Sequence, residues 1–265
     1  MTICSFERPQ TAQSTNADIP TISVITAVYN RHATVAQAIQ SVQEQTHPKV
    51  EHIIQDGGSN DGTLDVISGV ATPQTRVVSA PDHGIYDALN RGIARATGDV
   101  IGVMHADDFF ASDSVLQQVA DVFTDPDIDG VYGDLDYISA ADPPRVIRRW
   151  TSGPFHPGLL RRGWMPPHPT LYLRRRVFER LGNYDTRYQI SADYDAILRW
   201  LRGGQLRLAY IPDVLVKMRV GGESNRSLER IIQKSREDYD AIRRCGVGGL
   251  GTLFLKNVSK ISQFT

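Results

Sequence analysis

The sequence of 265 residues predicts an α/β fold in which a mostly parallel, Rossmann-like sheet is flanked by helices. Over the first 130 residues, stretches rich in β-branched and apolar residues alternate with stretches that have helical periodicity. The first of these stretches, TISVITAV at 21–28, is β-branched and apolar, which is typical of a parallel strand covered on both faces. Strict alternation of strand and helix implies right-handed crossovers between parallel strands.

The elements of this first half follow in order. We expect strands at 21–28, 50–55, 76–80 and 99–104. We expect helices at 34–46, 63–70, 84–98 and 114–123. Thr34 and Gln37 have the spacing of a capping box at the start of the first helix. Thr63 is the expected N-cap of the second helix, and Gly98 is expected to close the third.

The alternation fades after residue 130. Residues 129–138 predict a pair of strands, and the Pro- and Gly-rich residues 141–170 predict a loop that crosses the site. We then expect a helix at 193–202, an extended segment at 207–220 and a charged amphipathic helix at 227–244. The chain length fits one large domain, with or without a helical annex.

The net charge of −1 conceals an asymmetry along the chain. Residues 1–144 hold 6 Lys and Arg against 20 Asp and Glu, whereas residues 145–265 hold 23 against 10. An acidic half is suited to metal handling, and a basic half to a phosphate-bearing partner or an anionic membrane surface. The alternative is that the two halves simply attract one another.

Three features narrow the class of protein. No apolar run reaches the ~18 residues of a membrane-spanning helix. Cys4 and Cys245 have no Cys or His partner at zinc spacing, so a reducing cytoplasm is the default compartment. The stretch GVGGLG at 246–251 matches G-x-G-x-x-G, but it follows a charged helix rather than a strand and does not predict a dinucleotide site.

Ligands of such a sheet bind beyond the carboxyl ends of its strands. Acidic side chains are concentrated there. The segments at those ends are YNRH at 29–32, DGGSNDG at 56–62, PDHG at 81–84 and HADDFF at 105–110. The adjacent carboxylates Asp107 and Asp108 need a positive charge, which an arginine, solvent or a metal ion would provide.

The ordered set TAVYN, QDGGSNDGT and HADD, with an acidic helix start near residue 193, resembles the family 2 glycosyltransferases of the GT-A fold. The similarity is greatest to bacterial enzymes that build surface polysaccharides and glycolipids, and it covers about residues 20–225. It implies an enzyme that moves a sugar from a nucleotide-diphospho-sugar to an acceptor hydroxyl with inversion. It also implies a divalent metal cofactor, Mn²⁺ or Mg²⁺.

The resemblance implies a division of the chain. Residues 1–18 are expected to be a disordered leader, residues 19–225 the GT-A catalytic domain, and residues 226–265 a C-terminal helical extension. Within the catalytic domain, 19–130 is the expected nucleotide-sugar-binding half and 131–225 the acceptor half.

The resemblance assigns the nucleotide base to Asp56, beside the backbone of Thr26, Ala27 and Tyr29. A carboxylate can accept the imide N–H of uracil or the N1–H of guanine, so the assignment is chemically sound.

The stretch PDHGIYDALNRG at 81–92 matches a family segment near the donor. Asp82, Asp87 and Asn90 are the candidates for base or sugar contacts. Relatives often carry an arginine where Leu89 stands, so a base contact through that arginine is missing here. The alternative is that Asp87 and Asn90 are ordinary surface residues.

The resemblance assigns the metal to Asp108, with Asp107 as its helper near the ribose. Ala106 stands where a strict D-x-D signature has its first Asp, which leaves only the pair. Some relatives carry a metal-binding His near 218–225, and none stands here, so the cation relies more on diphosphate oxygens and water. The alternative is a solvated turn or helix cap ahead of residue 114.

Inverting transfer requires the acceptor hydroxyl to lose its proton as it attacks the anomeric carbon. The resemblance assigns this base to Asp193, with Ala192 in place of the family's Glu. The alternative is that Asp193 and Asp195 simply favour a helix N-terminus. We favour a catalytic role for Asp193 and a capping role for Asp195. For His168 two roles stay open: contact with the acceptor or the metal, or a structural role within its own loop.

The expected partners are the donor and a saccharide or lipid-linked acceptor. The basic C-terminal half also fits peripheral contact with the inner face of a membrane from the cytoplasm. No nucleic acid is expected.

Two other functions compete with glycosyl transfer. A sugar nucleotidyltransferase also joins a parallel sheet to a metal and a nucleotide, but TAVYNRHATV lacks the usual Gly-rich loop. The other is a nucleotide-sugar-binding module that has lost activity.

Overall fold

The computed structural model describes residues 19–139, 145–220 and 228–259. The leader expected at 1–18 lies outside these residues. The strands are β1 (Ile22–Val28), β2 (Val50–Asp56), β3 (Thr75–Ser79), β4 (Val100–Val103), β5 (Phe109–Phe110), β6 (Gly130–Ile138), β7 (Val146–Trp150), β8 (Tyr172–Arg174) and β9 (Leu208–Arg219). The helices are α1 (Val35–Gln43), α2 (Thr63–Val70), α3 (Ile85–Arg95), α4 (Val115–Val122), α5 (Arg175–Leu181), α6 (Ala192–Leu201), α7 (Leu228–Arg244) and α8 (Leu250–Ser259). Two 3₁₀ turns, Pro157–Arg162 and His168–Thr170, precede β8.

The strands of the described residues form one mixed sheet in the order β3-β2-β1-β4-β8-β6-β9-β5, with β7 paired to β6. The four strands β3, β2, β1 and β4 are all parallel, which confirms the prediction from alternation. β8 runs antiparallel between β4 and β6 and so joins the two halves of the sheet. The long strand β9 then runs parallel to β6 and brings its end beside β5.

β1 is completely buried because helices cover both faces of the parallel strands. Successive residues point to opposite faces. Ile25 belongs to the apolar cluster that contains Leu89 of α3, whereas Val24 belongs to the cluster that contains Val42 of α1. A Cβ on Gly92 would lie 2.4 Å from Ile25 Cγ2, so glycine lets α3 approach β1 closely.

Two predicted helix starts are wrong in detail. Thr34 precedes α1, but its buried hydroxyl has no hydrogen-bond partner, and Gln37 instead accepts a hydrogen bond from Arg219. The capping box is therefore absent. Thr63 is the first residue of α2 rather than its cap, and its backbone N–H donates to Asp61 Oδ1 at 3.0 Å.

The predicted end of α3 is also wrong. The helix ends at Arg95 because Ala96 is already extended, with φ −63° and ψ 134°. Gly98 serves packing instead, since a Cβ there would lie 2.6 Å from Ser23 Oγ of β1.

The strand pair predicted at 129–138 is a single strand, β6. Its glycines mark close packing rather than a turn, because a Cβ on Gly133 would lie 2.5 Å from Leu215 Cγ of β9. The partner strand β7 lies within 141–170, where a loop was expected. Residues 193–202 do form the predicted helix, α6, which buries Tyr194 and Ile197 as expected.

Candidate functional site

The loops that follow β1 and β2 are held together at the carboxyl ends of these strands. The Asn30 N–H donates to Ser59 Oγ at 2.9 Å, and the Asn60 N–H donates to Asn30 Oδ1 at 3.1 Å. The Arg31 N–H donates to Thr63 Oγ1 at 2.8 Å. Asn30 has φ 51°, a left-handed conformation that asparagine tolerates better than most residues. Two of the predicted strand-end segments therefore form one surface.

Asp56 ends β2 and is fully buried. Its Oδ2 accepts hydrogen bonds from the N–H groups of Gly58 and Ser59 and from the Ser79 hydroxyl, at 2.9, 3.0 and 2.7 Å. Its Oδ1 accepts the Ser59 hydroxyl at 2.5 Å. A carboxylate has about four acceptor positions. A base N–H would therefore have to share an oxygen or displace the Ser59 hydroxyl.

The other predicted base neighbours differ in accessibility. Thr26 and Ala27 are buried within β1, and the Thr26 hydroxyl lies 3.0 Å from His52 Nε2 in the core. Tyr29, just past the end of β1, is exposed. Tyr29 is therefore the member of this set that offers its side chain to a ligand.

Asp82 links the end of β2 to the segment after β3. Its Oδ1 accepts the Gly84 N–H at 2.9 Å, and a Cβ on Gly57 would lie only 2.5 Å from its Oδ2. Glycine at position 57 therefore lets the Asp82 carboxylate lie directly against the loop that follows Asp56.

Asp87 and Asn90 of α3 are engaged within the protein. Asp87 accepts the His83 N–H at 3.0 Å and pairs with Arg91 at 2.8 Å, and these contacts lower its pKa. The Asn90 amide donates to the Tyr184 carbonyl at 2.9 Å and accepts the Tyr184 N–H at 3.0 Å. A donor contact through Asn90 would require these bonds to open.

Arg219, at the end of β9, is the positive charge that faces the adjacent carboxylates. Its guanidinium donates to the Asp107 carbonyl at 2.6 Å, and its backbone N–H lies 3.3 Å from Asp108 Oδ1. The guanidinium also lies over the Phe109 ring, 5.1 Å from the centroid. Pairing of β5 with β9 produces this arrangement.

Asp108 nevertheless retains an oxygen without a partner. It is buried, and its Oδ2 makes no hydrogen bond. Burial, and then the charge of Asp107, raise the pKa of the Asp108 carboxyl well above its usual range. A divalent cation fits this oxygen because it would compensate a buried negative charge.

The protein supplies few ligands for such a cation. In the described ranges 19–139, 145–220 and 228–259, no three His, Cys, Asp or Glu side chains cluster as a metal site. Mg²⁺ and similar hard cations are commonly held by one or two carboxylates plus substrate phosphates and water. The Asp107–Asp108 pair fits that kind of site.

Asp193 lies in the first turn of α6, where α3 approaches. The Tyr86 hydroxyl of α3 lies 3.2 Å from Asp193 Oδ1 and donates to the Ile190 carbonyl at 2.7 Å. Burial, and then the charge of Asp193, raise the pKa of Tyr86, so the phenol keeps its proton. Tyr86 therefore fixes one side of the Asp193 carboxylate.

Two histidines lie near this carboxylate. The rings of His105 and His168 are 5.6 Å apart, and His168 Nε2 lies 2.7 Å from the Tyr184 hydroxyl. Burial lowers the pKa of both histidines, to about 4 for His168, although the charge of Asp193 opposes the shift. The sequence left His168 between two roles, and the structure places it in the loop core beside Asp193.

The predicted capping role of Asp195 is wrong. Its Oδ2 accepts the Arg199 Nε–H at 2.7 Å within α6. Glu237 of α7 instead holds the residues just before the helix, because its Oε2 accepts the N–H groups of Ile190 and of Ser191, the N-cap residue, at 2.8 and 2.9 Å. Because these residues immediately precede α6, Glu237 holds the helix start that carries Asp193.

Comparison with known proteins decides the family. A model described as "Glycosyl transferase family 2" matches residues 23–185, which is more than half of the chain. The chain belongs to glycosyl transferase family 2. The resemblance carried by the strand-end motifs is thus confirmed, and the chain is a glycosyltransferase.

Curated relatives of this family 2 glycosyltransferase carry consistent names. The chain is 32% identical over 188 residues to a protein of Mycobacterium tuberculosis named as an uncharacterized glycosyltransferase, covering 68% of each chain. It is 30% identical over 221 residues to a "PGL/p-HBAD biosynthesis glycosyltransferase" of Mycobacterium bovis, covering 80% of this chain and 82% of the relative.

A solved structure confirms the GT-A fold. The mannosyltransferase PcManGT from Pyrobaculum calidifontis, solved with GDP-Man and Mn²⁺, aligns with a TM-score of 0.65 and 20% identity. The alignment covers 94% of this chain and 72% of PcManGT. Among the described residues of the family 2 enzyme, no helix is both long and apolar enough to span a bilayer.

Sequence reasoning missed three residues of the site: Arg219, Glu237 and Tyr86. Arg219 ends a segment correctly expected to be extended, and the resemblance placed residues 218–225 near the metal, but no local pattern singled out this arginine as the cation beside HADD. Tyr86 and Glu237 act across long sequence separations, so a single sequence of the glycosyltransferase carries no signal for them.

Proposed function

We propose that the enzyme moves a sugar from a nucleotide-diphospho-sugar to an acceptor hydroxyl with inversion, assisted by Mn²⁺ or Mg²⁺. The observation that carries this proposal is the buried, unpartnered Oδ2 of Asp108 at the carboxyl end of the parallel strands. The acceptor class is a saccharide or lipid-linked saccharide in bacterial polysaccharide or glycolipid synthesis. The name of the Mycobacterium bovis relative supports the glycolipid class.

Residues at the tips of the sheet hold the donor in this proposal. Tyr29 and the loop braced by Asp56 receive the base, and Asp107 lies near the ribose. Asp108 would hold the cation, which would supply positive charge for the diphosphate leaving group. Arg219 adds a fixed positive charge on the same side, beside the Asp107 carbonyl.

Asp193 accepts the proton of the acceptor hydroxyl. A bond forms between the acceptor oxygen and the anomeric carbon as the bond from that carbon to the diphosphate oxygen breaks. The Tyr86 hydroxyl borders the carboxylate on the side of Oδ1, at 3.2 Å, and Oδ2 is the oxygen that receives the acceptor proton in this proposal. Single displacement from the opposite face inverts the anomeric configuration.

The test measures nucleoside diphosphate release from a panel of UDP-, GDP- and dTDP-sugars, with Mn²⁺ or with EDTA. Asp108→Asn should abolish metal-dependent donor binding in calorimetry. Asp193→Asn should bind donor normally and lose transfer. Asp65→Asn, an exposed acidic residue of α2, is the matched control.

Two results would overturn the proposal. Turnover in EDTA that equals turnover in Mn²⁺ would remove the metal from the reaction. Retention of the donor's anomeric configuration in the product, read by NMR, would exclude single displacement.

A further inference from the structure

The helix α8 is reversed in the sense that it buries its charged residue and exposes four of its five apolar residues, whereas Leu253 packs partly against the core. The charged residue within 250–258 is Lys256, and its side chain is only 3% exposed. The apolar residues Leu250 and Phe254 are 70% and 66% exposed, and Leu255 and Val258 are exposed as well. A helix on a soluble surface normally buries its apolar face and exposes its charges.

Specific contacts fix this orientation. Lys256 Nζ lies 2.6 Å from Asp238 Oδ1 of α7 and 3.3 Å from the centroid of the Tyr194 ring. The Thr252 hydroxyl donates to the Arg161 carbonyl at 2.9 Å. Rotating α8 to hide its apolar face would break a buried ion pair and leave Asp238 with Lys234 as its remaining cationic partner.

Two exposed arginines adjoin α8. Arg161 and Arg162 end the 3₁₀ turn that contacts α8, and both are exposed. Among the described residues, neither guanidinium has an ion pair with a carboxylate. An apolar helix face with neighbouring arginines is the combination that binds the interface of an anionic membrane.

We propose that α8 lies in the headgroup layer of an anionic membrane, with Leu250, Phe254 and Val258 inserted and Arg161 and Arg162 at the phosphates. This proposal does not depend on the proposed reaction. A second copy of the chain is a poorer occupant, because a symmetric interface would bring the same arginines of both copies together.

The test is sedimentation of the full chain with vesicles of phosphatidylcholine alone or with phosphatidylglycerol, at low and high salt. We expect the chain to bind anionic vesicles. Binding to neutral vesicles should be about tenfold weaker, and binding to anionic vesicles should fall as the salt concentration rises. The double variant Leu250→Ser/Phe254→Ser should weaken binding about tenfold or more, because it removes two inserted apolar side chains.

Two further variants separate the contributions. Arg161→Gln/Arg162→Gln should weaken binding at low salt and reduce its salt dependence. Val146→Ser/Ile147→Ser is the matched control, since these residues of β7 are 48% and 46% exposed but belong to a different element. It should bind as the wild type does. Melting temperatures verify that every variant is folded.

Three results would overturn the proposal. The wild type would fail to bind anionic vesicles, or the Leu250/Phe254 variant would bind as well as the wild type. The third is a wild type that does not bind vesicles but forms a dimer in sedimentation equilibrium, while the Leu250/Phe254 variant is monomeric. A second copy of the chain would then cover α8.

Discussion

Lys256 of α8 and Asp238 of α7 form an ion pair with 2.6 Å between Nζ and Oδ1, and both side chains are buried. Lys234 contacts the other oxygen of Asp238 at 2.8 Å. Although burial alone would raise it, the two ammonium groups hold the pKa of Asp238 at about 2. The charge cluster therefore attaches α8 firmly to α7.

Lys256→Met should destabilise the protein by about 3–5 kcal/mol, because Asp238 would remain buried with one partner fewer. Guanidinium unfolding measures the loss. The double variant Asp238→Leu/Lys256→Met should recover part of it, because the buried carboxylate is then gone, although Lys234 loses its partner. Strictly additive losses would show that the pair has no coupling.

Glu237→Gln should lower kcat about tenfold with little change in donor KM, because the carboxylate that holds the residues before α6, the helix that carries Asp193, loses its charge. The proposed donor residues lie on other elements, so we expect donor binding to be unaffected. Steady-state kinetics measure both constants. Glu229→Gln is the control, because Glu229 is an exposed residue in the first turn of α7, the helix that also carries Glu237. Equal effects of the two variants would contradict a positioning role for Glu237.

Stability should fall in mild acid because His52 is buried in neutral form. Burial lowers its pKa to about 4 from 6.5. The unfolded chain therefore takes up a proton below pH 6.5 that the folded chain refuses until about pH 4, and the stabilisation present above pH 6.5 is lost across this window. His52 should contribute a loss of about 2 kcal/mol between pH 7 and pH 5.

Urea unfolding at pH 7 and pH 5 measures this loss. His52→Gln should show a smaller pH dependence than the wild type, whereas His156→Gln, at an exposed loop position, should match the wild type. An unchanged pH dependence in His52→Gln would mean that His52 is charged in the folded protein.

Gly57→Ala should weaken nucleotide-sugar binding about tenfold, because the new Cβ would lie 2.5 Å from Asp82 Oδ2 and displace that carboxylate. Calorimetry with Mn²⁺ present measures the affinity. Gly69→Ala is the control, since a Cβ there meets nothing within 4 Å. Normal affinity in Gly57→Ala would place Asp82 outside the donor site.

The parallel half of the fold was predictable because the hydrophobic pattern of each strand and helix is visible within about ten residues. β1 is rich in β-branched apolar residues, and α6 presents Tyr194 and Ile197 at helical spacing. Errors arose where a residue serves a distant partner. Gly133 reads as a turn in the sequence, but it is needed for contact with Leu215 of β9.

The candidate site was likewise predictable in its local sequence motifs but not in its long-range contacts. Its acidic strand ends could be located because parallel topology places them together. Arg219 and Glu237 could not be located from the sequence. Each reaches its partner through strand pairing or helix packing, which local periodicity does not encode. The reversed helix α8 was equally hidden, because Lys256 reads as an ordinary surface charge until Asp238 is found beneath it.

α3 carries residues on both the proposed donor side and the proposed acceptor side of the enzyme. Its first turn carries Asp87, one turn of the same helix holds Tyr184 through Asn90, and Tyr86 reaches Asp193. In the proposed reaction, one short stretch of backbone therefore sets the spacing between the leaving group and the attacking oxygen. On that proposal, lengthening or rotating this helix would misalign the displacement whichever sugar is bound.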